Sequence, residues 1–212
     1  MKKLGLSLLI TLAVTFLGGT AFAQGAQGHN SYYYLTYFSN ANTPGAADGV
    51  LRLVNDGDAS TSEVEGQPNG TLYASLYVFD DGQAMQECCN CSISADGMLA
   101  ESVNINLTSN TLTGREENSR GVVKIIGGTH ADPTNNVLKT GLRGTMTHIQ
   151  ATTIGSGSAP IATLPFYVTE TPLANANLVT AEQQDLQQTC AFVITLGSGY
   201  GICSCTPEDS DF

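Results

Sequence analysis

The chain has 212 residues, and its 19 acidic and eight basic side chains give a formal net charge of −11 at pH 7. An acidic surface repels nucleic acid and anionic membranes, so neither is expected as a partner. Only 13% of the residues are charged, and tryptophan is absent. The length fits one domain with a sizeable core.

The N-terminus has the three parts of a secretory signal peptide. A pair of lysines precedes an apolar run over 4–17, and Ala-Phe-Ala at 21–23 offers a small-x-small cleavage site. The run is short for a membrane span of about 20 residues. We therefore expect 1–23 to be removed and 24–212 to form a single secreted domain, extracellular or at the cell surface. That domain has a net charge of −13, since the leader contains two basic residues and no acidic one.

Seven segments have the alternation or the β-branched and aromatic content of strands. Clusters of Gly, Asn, Asp and Pro separate most of them, as turns do. In chain order the predicted strands are 31–38, 50–54, 71–79, 98–107, 121–126, 142–150 and 162–170.

Two segments carry helix signals. Asp80 with Gln83 three residues later predicts a short helix over 80–86, and Thr180 with Gln183 forms a capping box for a longer helix that ends before Gly197. Many short strands with one late helix predict a mainly all-β fold. We expect an antiparallel β-sandwich, Ig-like or jelly-roll-like, with one short C-terminal helix and disulfides.

The six cysteines fall into two tight groups. In an exported chain they predict disulfides, and bridges within a group are geometrically awkward. We therefore predict at least two bridges between the groups, the first worth about 4 to 5 kcal/mol for a loop of about 100 residues. A thiolate site for copper or zinc is the alternative, although the usual Cys-x2-Cys spacing is absent. The groups are Cys88, Cys89 and Cys91, then Cys190, Cys203 and Cys205.

No motif in the chain indicates a catalytic chemistry. His29, His130 and His148 each lack a second metal ligand at helix or strand spacing. The G-x-S-x-G, phosphate-loop and dinucleotide patterns are absent. We expect no cofactor and no enzyme, and a hydrolase built from scattered residues is the remaining catalytic alternative.

A turn after the second predicted strand offers the start of a calcium site. Asp56 and Asp58 are two carboxylates in this turn, whereas calcium needs six or more oxygen ligands. Ordinary turn chemistry explains the same two residues. They are weak calcium candidates.

The segment 24–38 contains the most strand-like octamer, with four tyrosines, one phenylalanine, no charge and no proline. Such a strand can complete the sheet of another subunit, or it can be the first strand of its own sandwich. The expected assembly residues are Tyr32, Tyr33, Tyr34, Leu35, Tyr37 and Phe38.

The cysteine groups and their flanks resemble a family of uncharacterised secreted bacterial proteins. The matching runs are Tyr77-Val-Phe-Asp80 leading to Gln86-Glu-Cys-Cys-Asn-Cys91, then Thr171-Pro-Leu173, Cys190 and Gly197-Ser-Gly-Tyr-Gly-Ile-Cys203. This resemblance covers most of the mature chain and implies no established activity or catalytic residue.

Two functions remain open from the sequence. The first is a non-enzymatic extracellular structural or surface protein, a self-assembling fibre or pilus-like subunit that uses β-strand addition and has itself as partner. The alternative is a monomeric secreted domain that binds a ligand, as an adhesin or a carbohydrate-binding domain does.

Overall fold

A computed structural model describes residues 31–57, 69–113, 119–151 and 166–205. Two antiparallel sheets pack face to face and one helix follows the last strand, which confirms the predicted sandwich. The signal-peptide prediction falls outside the described residues. Within them, no helix has both the length and the apolar character needed to cross a membrane.

The sheets contain five and four strands. The first sheet has the order β4-β3-β6-β1-β9 and the second has the order β5-β2-β7-β8. A single π-helical turn, Val103–Leu107, follows β5. The elements are β1 (Tyr33–Ser39), β2 (Val50–Asn55), β3 (Leu72–Asp80), β4 (Met85–Ile93), β5 (Met98–Ser102), β6 (Arg120–Gly128), β7 (Leu142–Ala151), β8 (Phe166–Pro172), β9 (Ala174–Asn175) and α1 (Thr180–Leu196).

The two faces of β3 show where the core lies. Side chains alternate along a strand, so Leu76 and Val78 point into the apolar cluster between the sheets, and Tyr77 points the other way. Tyr77 belongs to a second apolar cluster that includes Leu186 and Val193 of α1. The first sheet is therefore covered on both faces, whereas no described element covers the outer face of the second sheet.

The predicted short helix over 80–86 is wrong, because this segment is the turn between β3 and β4. The Asp80 carboxylate accepts a hydrogen bond from the Ala84 N–H at 2.8 Å, and the Asp80 carbonyl accepts one from the Gln83 N–H at 3.1 Å. Aspartate satisfies the N–H groups of a turn as well as those of a helix start. The local signal is therefore ambiguous, and the pairing of β3 with β4 decides the outcome.

The predicted strand over 98–107 is wrong in its second half. β5 ends at Ser102, whose side-chain oxygen accepts the Ile105 N–H at 2.8 Å and starts the π-helical turn. Val103 and Leu107 are buried by this turn, and Ile105 is 69% exposed. In a strand, Val103, Ile105 and Leu107 would share one face. In a helical turn, residues four apart share a face, so Val103 and Leu107 point inwards together and Ile105 points away from them.

The C-terminal helix begins at Thr180 as predicted, but its predicted capping box is wrong. The N-cap residue is Val179, which makes no side-chain hydrogen bond. The Gln183 side chain donates instead to the carbonyl of Asn136 at 3.2 Å. The helix ends before Gly197, as expected.

Candidate functional site

The six cysteines form three disulfides, and each joins the first group to the second, as predicted. Their Cα–Cα distances are 5.9, 5.2 and 5.5 Å, which lie within the usual range. The pairs, in the same order, are Cys88–Cys190, Cys89–Cys203 and Cys91–Cys205.

β4 directs its cysteines to opposite faces of the first sheet. Cys88 lies in the apolar cluster under α1, together with Cys190 of the helix. Cys89 and Cys91 lie between the sheets, where their Sγ atoms are 4.0 Å apart. We call the two neighbouring bridges Cys89–Cys203 and Cys91–Cys205 the cystine pair.

Residues 197–205, here called the C-terminal strap, run beside β4. The Cys88 N–H donates to the Gly201 carbonyl at 2.9 Å, and the Gly201 N–H donates to the Asn110 carbonyl at 2.6 Å. Gly201 has a φ of 80°, and a Cβ atom there would lie 2.2 Å from Val193 Cγ1, so glycine is required where the strap passes α1. The strap therefore covers the edge of the first sheet at β4, and the helix covers the outer face.

Glu182 fixes the first turn of α1 to the first sheet. Its Oε1 atom accepts the Tyr33 hydroxyl at 2.6 Å and the Lys124 ammonium at 2.8 Å. Burial disfavours the ionised carboxylate, but the hydrogen bonds from Lys124 and Tyr33 and the Lys124 charge outweigh it and lower the pKa of Glu182. The helix therefore contacts β1 and β6 through a charged group.

Glu87 is a buried acid on β4. Its Oε1 atom accepts the Asn110 N–H at 2.9 Å, and its Oε2 atom has no hydrogen-bond partner among the described residues. Burial raises the pKa of Glu87 to about 7, although the hydrogen bond from Asn110 acts in the opposite direction. Glu87 therefore loses its proton near neutral pH, next to the bridges that hold the strap.

The expected assembly strand is β1, which is paired within the first sheet of its own chain. It pairs with β6 along all seven of its residues and with β9 at Tyr34 and Leu35. The Tyr34 hydroxyl donates to the carbonyl of Leu142 on β7, and burial raises the pKa of Tyr34 to about 12. β1 thus lies one strand in from the edge formed by the two-residue β9.

The side chains of the expected assembly residues are mostly inside the molecule. Two tyrosines and the phenylalanine are at most 2% exposed, and one tyrosine is 47% exposed. Of the six residues, the buried ones are Tyr33, Tyr34 and Phe38, the partly buried ones are Tyr32 and Leu35, and the exposed one is Tyr37.

β8 is an edge strand with little cover. Its only strand partner in the described residues is β7. Tyr167 and Val168 are 55% and 56% exposed, and Thr169 and Glu170 are exposed as well. Because successive residues point to opposite faces, this run leaves both faces of β8 uncovered.

His148 links β1, β7 and β8 at one corner of the sandwich. Its ring stacks on Tyr37 at a centroid distance of 4.1 Å, and its Nε2 atom lies 2.7 Å from Thr171 Oγ1. Burial lowers the pKa of His148. These contacts give His148 a structural role. His130 lies in an exposed loop, where its Nδ1 atom is 3.2 Å from the Asn135 carbonyl oxygen. His29 is outside the described residues.

The proposed calcium turn has one described carboxylate. Asp56 accepts a hydrogen bond from Arg143 Nε at 3.2 Å, and its side chain is only 13% exposed. Asp58 lies outside the described residues. A cation would compete with a guanidinium for Asp56, and calcium binding stays a prediction.

Neutral polar side chains line a cleft of about 360 Å³ beside the π-helical turn. The Asn42 N–H donates to Asn104 Oδ1 at 2.9 Å, and the Asn42 side-chain amide donates to Thr108 Oγ1 at 3.1 Å. Asn42 has a φ of 54°, a region in which asparagine is enriched. With Ser109, these groups offer amides and hydroxyls and no charge.

No family model, curated protein or solved structure matches this chain. The resemblance to secreted bacterial proteins stays a prediction, and function rests on the geometry described above.

The strand predicted over 162–170 corresponds to β8 from Phe166 onwards, and 162–165 lie outside the described residues. Sequence reasoning missed that this strand is uncovered, and it missed the buried acid Glu87. The sequence over 166–172 contains one charged residue, Glu170, and no lysine, which is a signal of an unprotected edge once the strand is known to be at one. Glu87 has no such signal, because a glutamate next to a cysteine is exposed in most contexts.

Proposed function

We propose that this protein is a non-enzymatic extracellular structural protein whose copies join by β-strand addition through the second sheet. The observation that carries the proposal is the exposure of β8, whose two faces and outer edge are free of other described elements. Soluble proteins protect such edges with lysine, proline or a bulge. β8 has only Pro172 at its end and a single charge, Glu170.

The topology of the second sheet favours an open chain of copies. Its edge strands are β5 and β8, and the pairings β5 with β2, β2 with β7 and β7 with β8 are all antiparallel. β5 and β8 therefore run in opposite directions. When β8 of one copy lies beside β5 of the next in the same orientation, the two strands form an antiparallel pair. A head-to-tail contact of this kind generates a filament unless its rotation closes a ring.

The expected strength of one contact is modest. Tyr167 and Val168 are 55% and 56% exposed, so burying the rest of each side chain contributes about 1 to 1.5 kcal/mol. Association costs at least about 4 kcal/mol of lost rigid-body freedom. Main-chain hydrogen bonds along β8 add to the favourable side by roughly 0.5 to 1.5 kcal/mol each. We therefore expect assembly at high local concentration, as at a cell surface.

The proposal uses β8 rather than the N-terminal segment 24–38 as the joining strand. Removing that segment would remove β1, whose Tyr33 and Tyr34 are buried in the first sheet. Three disulfides suit a domain that works in an oxidising extracellular compartment.

Two charged variants of β8 test the proposal. Tyr167→Lys and Val168→Lys place a lysine on each face of the edge strand, which opposes strand pairing. Sedimentation velocity of the secreted protein over a wide concentration range, with negative-stain microscopy, reads out the assembly. We expect the wild type to form larger species as its concentration rises and both variants to remain monomeric.

Phe192→Lys is the matched control. Phe192 is 59% exposed on α1, so the substitution adds the same charge at an equally exposed apolar site away from β8. The control should assemble as the wild type does. A wild type that stays monomeric at millimolar concentration, or assembly lost in the α1 variant and kept in the β8 variants, contradicts the proposal.

The polar cleft supports a second candidate function, a secreted domain that binds a neutral polar ligand such as an oligosaccharide. Calorimetric titration with cellohexaose, chitohexaose and xylohexaose tests it. Asn42→Gly removes an amide that lines the cleft and keeps the left-handed backbone available. Binding of one sugar that is lost in this variant supports the candidate, and no heat with any of the three contradicts it.

A further inference from the structure

The structure divides the six cysteines into a group of four and a group of two. The Sγ atoms of Cys89, Cys91 and Cys205 lie within 4.8 Å of one another, and Cys203 Sγ is bonded to that of Cys89. The Cys88–Cys190 bridge lies on the opposite face of β4, under α1. Four sulfur atoms therefore converge on the inner face of the first sheet.

Three of these four atoms, the Sγ atoms of Cys89, Cys91 and Cys205, lie within 4.8 Å of one another, which is not far from the spacing in a tetrahedral thiolate site. Zinc–sulfur bonds of about 2.3 Å place the sulfurs of a tetrahedral site about 3.8 Å apart. The Sγ atoms of Cys89 and Cys91 are already 4.0 Å apart. When the disulfides are reduced, the two bonded pairs have to separate from about 2 Å to about 3.8 Å, and Cys203 Sγ, which lies outside the group of three, has to move towards Cys91 and Cys205.

Hydrogen bonds also hold β4 and the strap in place, in addition to the bridges. Cys89 and Cys91 lie on β4, which pairs with β3 along its length. The strap is held independently by the Ser204 N–H, which donates to the Asn106 carbonyl at 3.2 Å, and by its contacts at Gly201. Cys205 is exposed and gives a reductant or an ion access to the group.

We propose that reduction of the cystine pair creates a tetrathiolate site for one zinc-class cation. Each disulfide takes up two electrons and two protons. Two reductant thiols supply both and are oxidised to a disulfide, or a phosphine supplies the electrons while water supplies the protons and the oxygen of the phosphine oxide that forms. The cation then forms four metal–sulfur bonds, and the four thiol protons go to solvent. Thiolate ligands select zinc and copper(I) over magnesium and calcium.

The consequence is that the strap stays fixed to β4 in both oxidising and reducing surroundings. Two disulfides hold it in the first case and one metal ion in the second. The edge of the first sheet therefore remains covered before the chain is oxidised. This inference does not depend on assembly through β8.

Cobalt(II) is the probe for the test. The full-length secreted protein is reduced with a phosphine under argon, freed of reductant and titrated with Co²⁺, followed by Zn²⁺. We expect one Co²⁺ per chain with the absorption of a tetrahedral thiolate complex, displacement by Zn²⁺, and a near-ultraviolet circular dichroism signal that returns towards that of the oxidised protein. Binding without recovery of that signal means that an unfolded chain chelates the metal, and it overturns the proposal.

Two paired variants identify the ligands. Cys91→Ser with Cys205→Ser should reduce the affinity for Co²⁺ by at least 100-fold, because two of four thiolates are lost. Cys88→Ser with Cys190→Ser should leave stoichiometry and spectrum unchanged. A second measurement needs no variant: mass spectrometry of the reduced wild type identifies the cysteine thiols that Zn²⁺ protects from an alkylating reagent. Protection of Cys88 and Cys190 instead of the other four, or no bound metal, overturns the proposal.

Discussion

The two sheets of the sandwich differ in how far other elements cover them. The first sheet has α1 on its outer face, the strap along β4 and three disulfides that begin on that strand. The second sheet has no described element on its outer face and ends in the exposed strand β8. The first sheet is therefore covered on both faces, whereas the second sheet has an exposed edge at β8.

If copies join through β8 as proposed, stability and association depend on different parts of this molecule. Side chains of β3 are buried along seven successive residues because both faces of the first sheet are covered. Four successive residues of β8 are exposed because neither face is. We therefore expect substitutions in the first sheet to change the free energy of unfolding, and substitutions in β8 to change association.

The largest effect should come from removing the disulfide under α1. With the cystine pair intact, Cys88–Cys190 still closes a loop of roughly 14 residues, which is worth about 3 kcal/mol. Replacing both cysteines by alanine should lower the free energy of unfolding by about this amount, measured in urea. With Cys89–Cys203 intact, the Cys91–Cys205 bridge closes a loop of only a few residues. Replacing both of its cysteines by alanine should therefore cost about 2 kcal/mol. Equal costs, or the reverse order, would contradict this account of the strap.

A similar effect is expected from the buried acid, but only above neutral pH. The folded pKa of Glu87 is raised from 4.5 to about 7, so the folded state binds the proton more tightly than the unfolded state does. Stability therefore falls as pH rises from about 4.5 through about 7, by up to about 3 kcal/mol. Glu87→Gln should stabilise the protein by that amount at pH 8 and leave it unchanged at pH 4. A stabilisation that is the same at both pH values would contradict the assignment.

A smaller effect is expected where α1 meets β1. Tyr33→Phe removes the hydroxyl that donates to Glu182 and should lower the free energy of unfolding by about 1 kcal/mol. Tyr37→Phe is the control, since Tyr37 is 47% exposed and should change stability by less than about 0.5 kcal/mol. Urea unfolding of the two variants side by side measures the difference. Equal effects would mean that the helix contact adds nothing.

The smallest effect on stability is expected in β8. Val168→Lys should change the free energy of unfolding of the monomer by less than about 0.5 kcal/mol, because Val168 is exposed. The same variant should abolish association. A loss of several kcal/mol in urea unfolding would show that β8 is packed within the monomer, and the difference between the sheets would disappear.

Much of the fold follows from local sequence. The strands over 31–38, 50–54, 71–79, 121–126 and 142–150 appear as β1, β2, β3, β6 and β7, because alternation and β-branched content report the burial of alternate residues. The joining of the two cysteine groups follows from the geometric difficulty of bridges within a group. Which cysteine of the first group bonds to which of the second does not follow from the sequence, because it depends on the face of β4 that each cysteine occupies.

The failures reflect what local sequence leaves open. Asp80 carries capping chemistry that serves turns and helices alike, and the pairing of β3 with β4 decides between them. Thr180 begins the predicted helix, but Val179 takes the N-cap position. The uncovered state of β8 is a property of its neighbours and of strand order, which a single sequence does not reveal. Tyrosine content favours the segment of β1 as a joining strand, whereas the exposed edge in the structure is β8, whose composition is that of an ordinary strand.

Hydrogen exchange at two protein concentrations tests the central claim most directly. In dilute solution the amides of β8 on its outer edge should exchange rapidly, while those of β1, β3 and β6 should be protected. At high concentration the β8 amides should become protected and those of the first sheet should not change. Protection of β8 in the dilute monomer, or exchange that is independent of concentration although the protein assembles, would contradict assembly through this edge.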